Sequence, residues 1–280
     1  MNQHKAFKIS NIEISNDQPL CLIAGPCQIE SGQHALDLAG SIKEICDALS
    51  INLIYKSSYD KANRSSISTK RGIGIDEGLE ILIDVQKYHS IPVLTDIHEP
   101  WQAPVVEKAG IDVIQIPAFL CRQTDLLIAA GNTGCAVNVK KGQFLAPHDM
   151  QNVAAKIAST GNERIMLCER GYTHGYNNLV VDMRSLPIMA STGYPVVFDA
   201  THSVQQPGGM GTTSGGDREM VPYLARAAVA TGCVSAVFIE VHEDPDSAPS
   251  DGPNMVILAN LKKILTQIKH IDDYIKSRAD

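Results

Sequence analysis

Cys27, His202, Glu240 and Asp251 are the residues of this chain best suited to chemistry. Each stands at, or just beyond, the C-terminal end of an apolar run. The segments are Leu22-Ile-Ala-Gly-Pro-Cys27, Val196-Val-Phe-Asp-Ala-Thr-His202, Val237-Phe-Ile-Glu240 and the loop opening Asp251-Gly-Pro. A thiolate, an imidazole and two carboxylates converging from separate strand ends make a mixed soft and hard donor set for one divalent transition metal. Singly, each has a plainer reading. Cys27 is a loop thiol, His202 a local hydrogen-bonding group and Asp251 a turn former. Glu240 resists such a reading, because a carboxylate ending a buried strand needs a partner or a cation.

A second set is basic. Lys56 ends one apolar run, Lys140 and Lys141 another, and Arg170 a third, while Asn63-Arg64-Ser65-Ser66 offers donors for a terminal phosphate. A lysine closing a buried strand must snorkel or meet an anion. Carboxylates such as Asp96, Glu169 and Asp199 are one answer. Repetition at several strand ends points to bound oxyanions, with arginine for bidentate contacts and lysine as a point charge. Arg122, in the segment after residue 116, either reaches a phosphate or pairs with Asp125.

These groups need a scaffold that brings strand ends together. Short β-branched runs recur at 20–24, 53–55, 92–94, 112–116, 136–139, 164–168, 195–198 and 236–241, mostly without polar alternation, as in parallel strands buried on both faces. Helix-length amphipathic stretches separate them, at 35–49, 76–88, 150–159 and 218–231. Gly110, Gly134, Gly161, Gly193 and Gly232 each stand just upstream of a strand, where a left-handed residue closes a helix. Segments after strands are long and chemically loaded, whereas those after helices are short. Loops after strands share one face of a parallel α/β barrel, and that face carries the active site. The expected fold is therefore α/β, one (β/α)8 TIM barrel over residues 1–280, with a doubly wound open sheet as the alternative. Residues 1–17 form a short N-terminal β extension covering the barrel floor. The Gly-rich stretch from Gln205 to Gly216 is expected to act as a lid rooted at His202.

Composition narrows the function classes. Lys and Arg number 24 against 31 Asp and Glu, a net charge of -7, which argues against general binding to nucleic acid or membrane. No run approaches the roughly 20 apolar residues of a membrane span. Seven scattered cysteines, several inside apolar strands, suit a reducing cytoplasm.

At the level of motifs the chain resembles the 3-deoxy-D-manno-octulosonate 8-phosphate synthase family. The resemblance rests on Ala24-Gly-Pro-Cys-Gln-Ile-Glu-Ser31, Tyr55-Lys-Ser-Ser-Tyr-Asp-Lys-Ala-Asn-Arg-Ser-Ser66, Thr95-Asp-Ile-His-Glu-Pro100 and Gln115-Ile-Pro-Ala-Phe-Leu-Cys-Arg-Gln-Thr-Asp125. It continues through Asn138-Val-Lys-Lys141, Asn178-Leu-Val-Val-Asp-Met183 and Ser250-Asp-Gly-Pro253. The Lys-Ala-Asn-Arg-Ser-Ser segment separates it from sister synthases that act on erythrose 4-phosphate. The resemblance implies condensation of phosphoenolpyruvate with arabinose 5-phosphate on a (β/α)8 barrel, usually tetrameric, with residues 119–122 reaching toward a neighbouring subunit. Cysteine at position 27, rather than asparagine, implies the metal-dependent branch. Cys27, His202, Glu240 and Asp251 are then the implied ligands of one Mn, Fe, Co or Zn ion. Lys61, Lys140 and Arg170 are the implied phosphoenolpyruvate contacts, and Asn63, Arg64 and Ser65 the implied sugar-phosphate contacts. Lys56, Asp96 and Gln115 are implied to line the pocket.

Overall fold

The β-branched runs and the amphipathic stretches between them fold into alternating strands and helices. The computed structural model describes residues 4–63, 67, 69, 71–208 and 215–278. An antiparallel hairpin, β1 (Phe7–Ile9) and β2 (Ile12–Ile14), comes first. Eight parallel strands follow: β3 (Cys21–Gly25), β4 (Asn52–Lys56), β5 (Val93–Asp96), β6 (Val113–Ile116), β7 (Ala136–Lys140), β8 (Ile165–Glu169), β11 (Val196–Asp199) and β14 (Ala236–His242). Two short antiparallel pairs lie in the loops after β8 and β11. They are β9 (Tyr172–Thr173) with β10 (Leu179–Val180), and β12 (Gln205–Gln206) with β13 (Gly215–Gly216). β15 (Val256–Ile257) extends the end of β14.

The strands pair in sequence order, and Val197 opposite Ala236 joins β11 to β14, which closes the barrel. That pairing decides between the closed barrel and the open sheet, which periodicity alone leaves equal. Around the strands lie α1 (Gly32–Leu49), α2 (Ile75–His89), α3 (Gln102–Ala109), α4 (Thr124–Gly131), α5 (Met150–Ala158), α6 (Ser185–Ala190), α7 (Val221–Val229) and α8 (Leu258–Lys276). Ser31 caps α1 by accepting the His34 amide at 3.2 Å, and this sets where the helix begins after the β3 loop.

Side chains alternate between two apolar layers. Leu22, Leu53, Tyr55, Ile114 and Val237 pack outward beneath the helices. Ile23, Ile54, Leu94, Met166 and Phe238 pack inward, together with Ile9, Ile12 and Ile14 of the hairpin. The hairpin therefore plugs the barrel floor, as the sequence predicts. Asn16 fastens it by donating to the Tyr194 carbonyl at 3.1 Å and accepting the Val196 amide at 2.8 Å.

At the same end, α8 is tied to the approach to β3. Lys276 Nζ donates to the Gln18 carbonyl at 2.6 Å, and Asp272 Oδ2 accepts the Leu20 amide at 2.9 Å. Gly110, Gly161, Gly193 and Gly232 take the positive φ expected of helix-to-strand turns. Gly134 does not, although α4 ends three residues before it as α5, α6 and α7 do before their glycines; here the amide donates to Glu107 Oε1 at 2.6 Å. Among the described residues no helix is long and apolar enough to cross a membrane.

Candidate active site

The strand ends converge at the opposite mouth of the barrel from the hairpin, around a cavity of about 740 Å³. Gly25 is what lets the first of them approach: a Cβ there would sit 2.0 Å from the Lys56 carbonyl oxygen. This close approach brings Cys27 beside the end of β4, and Lys56 Nζ donates to the Cys27 carbonyl at 3.0 Å. Asp251 stands in the left-handed region at φ 54, a conformation aspartate tolerates better than most residues, and it turns its carboxylate toward the cysteine.

The predicted quartet comes together. Cys27 Sγ lies 3.3 Å from Asp251 Oδ2, and ligand-type atoms of Cys27, Glu240 and Asp251 all fall within 4.8 Å of one another. His202 Nε2 is outside that triple but lies 3.8 Å from both Glu240 Oε2 and Asp251 Oδ2. Its Nδ1 is 2.8 Å from Asp199 Oδ2, out of line for a hydrogen bond but close enough for an ion pair that aims the ring.

The protonation states suit a cation. Burial, then the neighbouring Glu240, pushes the Cys27 thiol up, so it is neutral until a cation replaces its proton. Burial works against the Glu240 carboxylate, yet His202 and Lys56 hold it ionised below its ordinary range. Asp251 is likewise held down, against its burial, chiefly by His202. Glu240 Oε2 is buried and takes no hydrogen bond among the described residues. An orphaned carboxylate oxygen beside a thiol, a second carboxylate and an imidazole fits a divalent transition ion of borderline softness.

A ring of cations surrounds this cluster. Lys56, Lys61, Asn63, Asp96, Gln115, Lys140 and Arg170 all line the cavity. The two sequence readings of the lysines both hold. Lys56 pairs with Glu240 at 3.1 Å, Lys140 pairs with Asp199, and each still faces the cavity. Lys141 is different: it pairs with Glu169 at 3.4 Å, bonds the Leu145 carbonyl and lies outside the lining. Lys61 donates to Ser58 Oγ at 2.9 Å, and Ser58 in turn donates to Asp96 at 2.6 Å. Asn138 holds Gln115 by donating to its Oε1 at 3.0 Å. Arg170 donates to the His202 carbonyl at 3.1 Å and to Gln205 Oε1 at 2.7 Å.

Some expectations are not met within this cavity. The Arg122 side chain is exposed, lies outside the lining and forms no ion pair with Asp125 among the described residues. Its backbone carbonyl accepts Lys156 instead, at 3.2 Å. Arg64 and Ser65 lie outside the described residues, as does the centre of the Gly-rich loop. The base of that loop is fixed: β12 pairs with β13, and Gln205 Nε2 donates to Asp251 Oδ1 at 3.2 Å.

Asp199 is the main site residue that the sequence reading did not single out as one. It is fully buried, meets both Lys140 and His202, and accepts the His202 amide at 2.9 Å. Burial opposes its charge, but His202 and Lys140 hold it far below the usual carboxylate range. The signal was available, since Asp199 ends an apolar strand as Glu240 does. His98, 3.5 Å from Asp96, also joins the lining, with no comparable sequence signal.

The DAHP synthetase I family matches residues 3–277. A protein of Granulibacter bethesdensis named 2-dehydro-3-deoxyphosphooctonate aldolase is 60% identical over 270 residues, 96% of this chain and 95% of its own length. Proteins of the same name from Agrobacterium fabrum and Brucella ovis are 59% and 58% identical, covering 96% and 98% of this chain and 94% and 98% of their own lengths.

Proposed function

We propose, from the premise that this chain belongs to the DAHP synthetase I family, that it condenses phosphoenolpyruvate with D-arabinose 5-phosphate and water. The products are 3-deoxy-D-manno-octulosonate 8-phosphate and inorganic phosphate. The observation that carries this reading is one cavity in which Cys27, Glu240, Asp251 and His202 meet beside Lys56, Lys61, Lys140 and Arg170. Relatives that match 96–98% of the chain and carry the name 2-dehydro-3-deoxyphosphooctonate aldolase support the substrate class.

In the reaction, C3 of phosphoenolpyruvate bonds to the aldehyde carbon of the sugar, whose oxygen takes a proton. Water adds to C2 and gives up both protons, one to the former aldehyde oxygen and one to the departing phosphate, as the bond from C2 to the phosphate oxygen breaks and the C2 carbonyl forms. The chain's first task is to hold two phosphorylated anions side by side, which fixed cations do without reorganising. Lys61, Lys140 and Arg170 take the phosphate and carboxylate of phosphoenolpyruvate. Asn63, which lines the cavity, takes the sugar phosphate, a role assigned also to Arg64 and Ser65. Lys56, Asp96 and Gln115 complete the walls.

Cys27, His202, Glu240 and Asp251 would hold one Mn, Fe, Co or Zn ion, which would supply Lewis acidity at this end of the cavity. Asp199 keeps the His202 ring turned so that Nε2 faces the carboxylates. Asp251, whose Oδ1 accepts Gln205 Nε2, is assigned proton transfer in addition to its place in the donor set.

The same reading gives a soluble cytoplasmic enzyme, supported by cysteines that are all free. It also gives a homotetramer, supported by Phe119, Phe144, Tyr172 and Tyr176, which are large, apolar and exposed. The test is phosphate release with arabinose 5-phosphate and with erythrose 4-phosphate, before and after chelation. Turnover is expected with the first sugar, to vanish on chelation and to return with Mn²⁺, Co²⁺ or Zn²⁺. Preference for erythrose 4-phosphate refutes the substrate, and full turnover without metal refutes the ion.

A further inference from the structure

A second group of metal-ligating side chains lies beside the first but outside the cavity. Glu30 follows β3 three residues after Cys27, His34 lies in the first turn of α1, and His242 ends β14 two residues after Glu240. Each offers one ligand atom within 4.8 Å of the others. None of the three lines the cavity.

Glu243 backs the group, with Oε2 3.1 Å from His34 Nε2 and 3.4 Å from His242 Nδ1. His242 Nε2 is 2.8 Å from Glu30 Oε1, and its Nδ1 accepts the Asp244 amide at 3.0 Å. Two buried polar atoms in this region have no hydrogen-bond partner among the described residues. His34 Nδ1 is buried without a partner, and so is the hydroxyl of Tyr55, a residue with no exposed surface. Both Glu30 and Glu243 act on that hydroxyl electrostatically.

We propose that Glu30, His34 and His242 form a second, outer site for a divalent ion of the zinc class. Two imidazoles and a carboxylate are a borderline-soft donor set, distinct from the thiol-containing cluster. With Nε2 of His34 turned to Glu243, its Nδ1 carries a lone pair that only a cation or a donor can use. Coordination through His242 Nε2 moves the ring proton to Nδ1, where Glu243 accepts it, the pairing that commonly orients metal-bound histidine. That move gives up the bond from the Asp244 amide, so the ion must repay one hydrogen bond. The Glu30 side chain is 30% exposed and His242 7% exposed, so the site opens outward to admit an ion while its deepest ligand stays rigid. An ion there ties the segment after Cys27 to the segment after Glu240 and to α1. It positions two strand ends that enter the active site, without touching substrate.

The experiment is a Co²⁺ titration of chelator-stripped protein, followed by absorbance, with stoichiometry from elemental analysis. The native chain is expected to bind two equivalents, only one of them showing sulfur-to-metal charge transfer. Cys27→Ala is expected to keep one equivalent without that band. His34→Ala is expected to keep the band and to bind the other equivalent at least tenfold more weakly. Glu30→Gln, outside α1, repeats the test should His34→Ala fold poorly. A single equivalent in the native chain that carries the charge-transfer band, or a band-less equivalent unmoved by both His34→Ala and Glu30→Gln, overturns the outer site. Loss of the charge-transfer band from the native chain bears on the inner cluster alone, so the two readings fail separately.

Discussion

Asp199→Asn is the substitution whose consequences the structure defines most fully. The carboxylate is fully buried between Lys140 and His202, and it accepts the Thr201 hydroxyl at 3.2 Å and the His202 amide at 2.9 Å. Asparagine keeps the shape and removes the charge, leaving the Lys140 ammonium buried without its anion. Removing one partner of a buried pair costs about 3–5 kcal/mol. At roughly 2–4 °C per kcal/mol for a chain near this size, the midpoint of thermal unfolding should fall by about 6–20 °C. Removing the group that orients a metal-binding histidine should separately weaken the ion by about 10–100-fold.

The two effects come apart in the double variant Asp199→Asn/Lys140→Met. Methionine fills the same space against the Phe238 ring, which the Lys140 ammonium now overlies at 3.7 Å. The double variant should recover most of the lost stability, because no unpaired charge remains, while its metal affinity stays low. Thermal melts of metal-stripped protein, and titrations of Zn²⁺ against a competing chelator, read the two quantities. A single variant that loses less than about 1 kcal/mol, or a double variant no more stable than the single, refutes the account of Asp199.

Three further expectations test other parts of the structure. Arg64→Ala should raise the KM for arabinose 5-phosphate more than that for phosphoenolpyruvate; equal shifts in steady-state kinetics remove Arg64 from the sugar site. Gly25→Ala forces a methyl against the Lys56 carbonyl across β3 and β4, and overpacking of this kind costs about 1–3 kcal/mol or more. Denaturant unfolding checks it, and a cost below about 0.5 kcal/mol would show that the strands can part. Glu163 accepts Lys5 Nζ and the Tyr194 hydroxyl, each at 2.6 Å, and these bonds hold its carboxyl below the ordinary value. A depressed carboxyl stabilises the fold above its unfolded pKa and loses that contribution as pH falls through the folded value. The advantage of the native chain over Glu163→Gln, about 0.5 kcal/mol for so exposed a pair, should therefore be present at neutral pH. It should shrink in melts as the pH falls below the ordinary glutamate range and through the depressed folded value, and an advantage that grows on acidification contradicts it.

The fold was legible because buried parallel strands write themselves as unbroken apolar runs, and every expected run became a barrel strand. Closure was not, since it depends on Val197 meeting Ala236 across 39 residues, a pairing with no local signature. At the site, Glu240 was legible because a carboxylate in Val-Phe-Ile-Glu-Val has no solvent to rely on. Asp199 satisfies the same rule, but sequence shows only that a charge is buried and not which neighbour answers it. Lys140 and Lys141 make the limit plain: adjacent in sequence, they point to opposite sides of β7's end, one to the cavity and one to Glu169. The left-handed turn expected at Gly134 is absent although α4 ends three residues before it, as α5, α6 and α7 end before their glycines. What differs is the Glu107 carboxylate, distant in sequence, that takes the Gly134 amide.

The tie between α8 and the approach to β3 bears on how the molecule reaches its native state. Lys276 and Gln18 are 258 positions apart, and Asp272 and Leu20 are 252 apart. A contact of that span can form only after almost the whole polypeptide has left the ribosome. Nascent β3 must therefore wait, its upstream edge unlatched, while the seven other barrel strands are made. Such long-range closure is slow, and it leaves a window in which chaperones or self-association compete for the waiting edge.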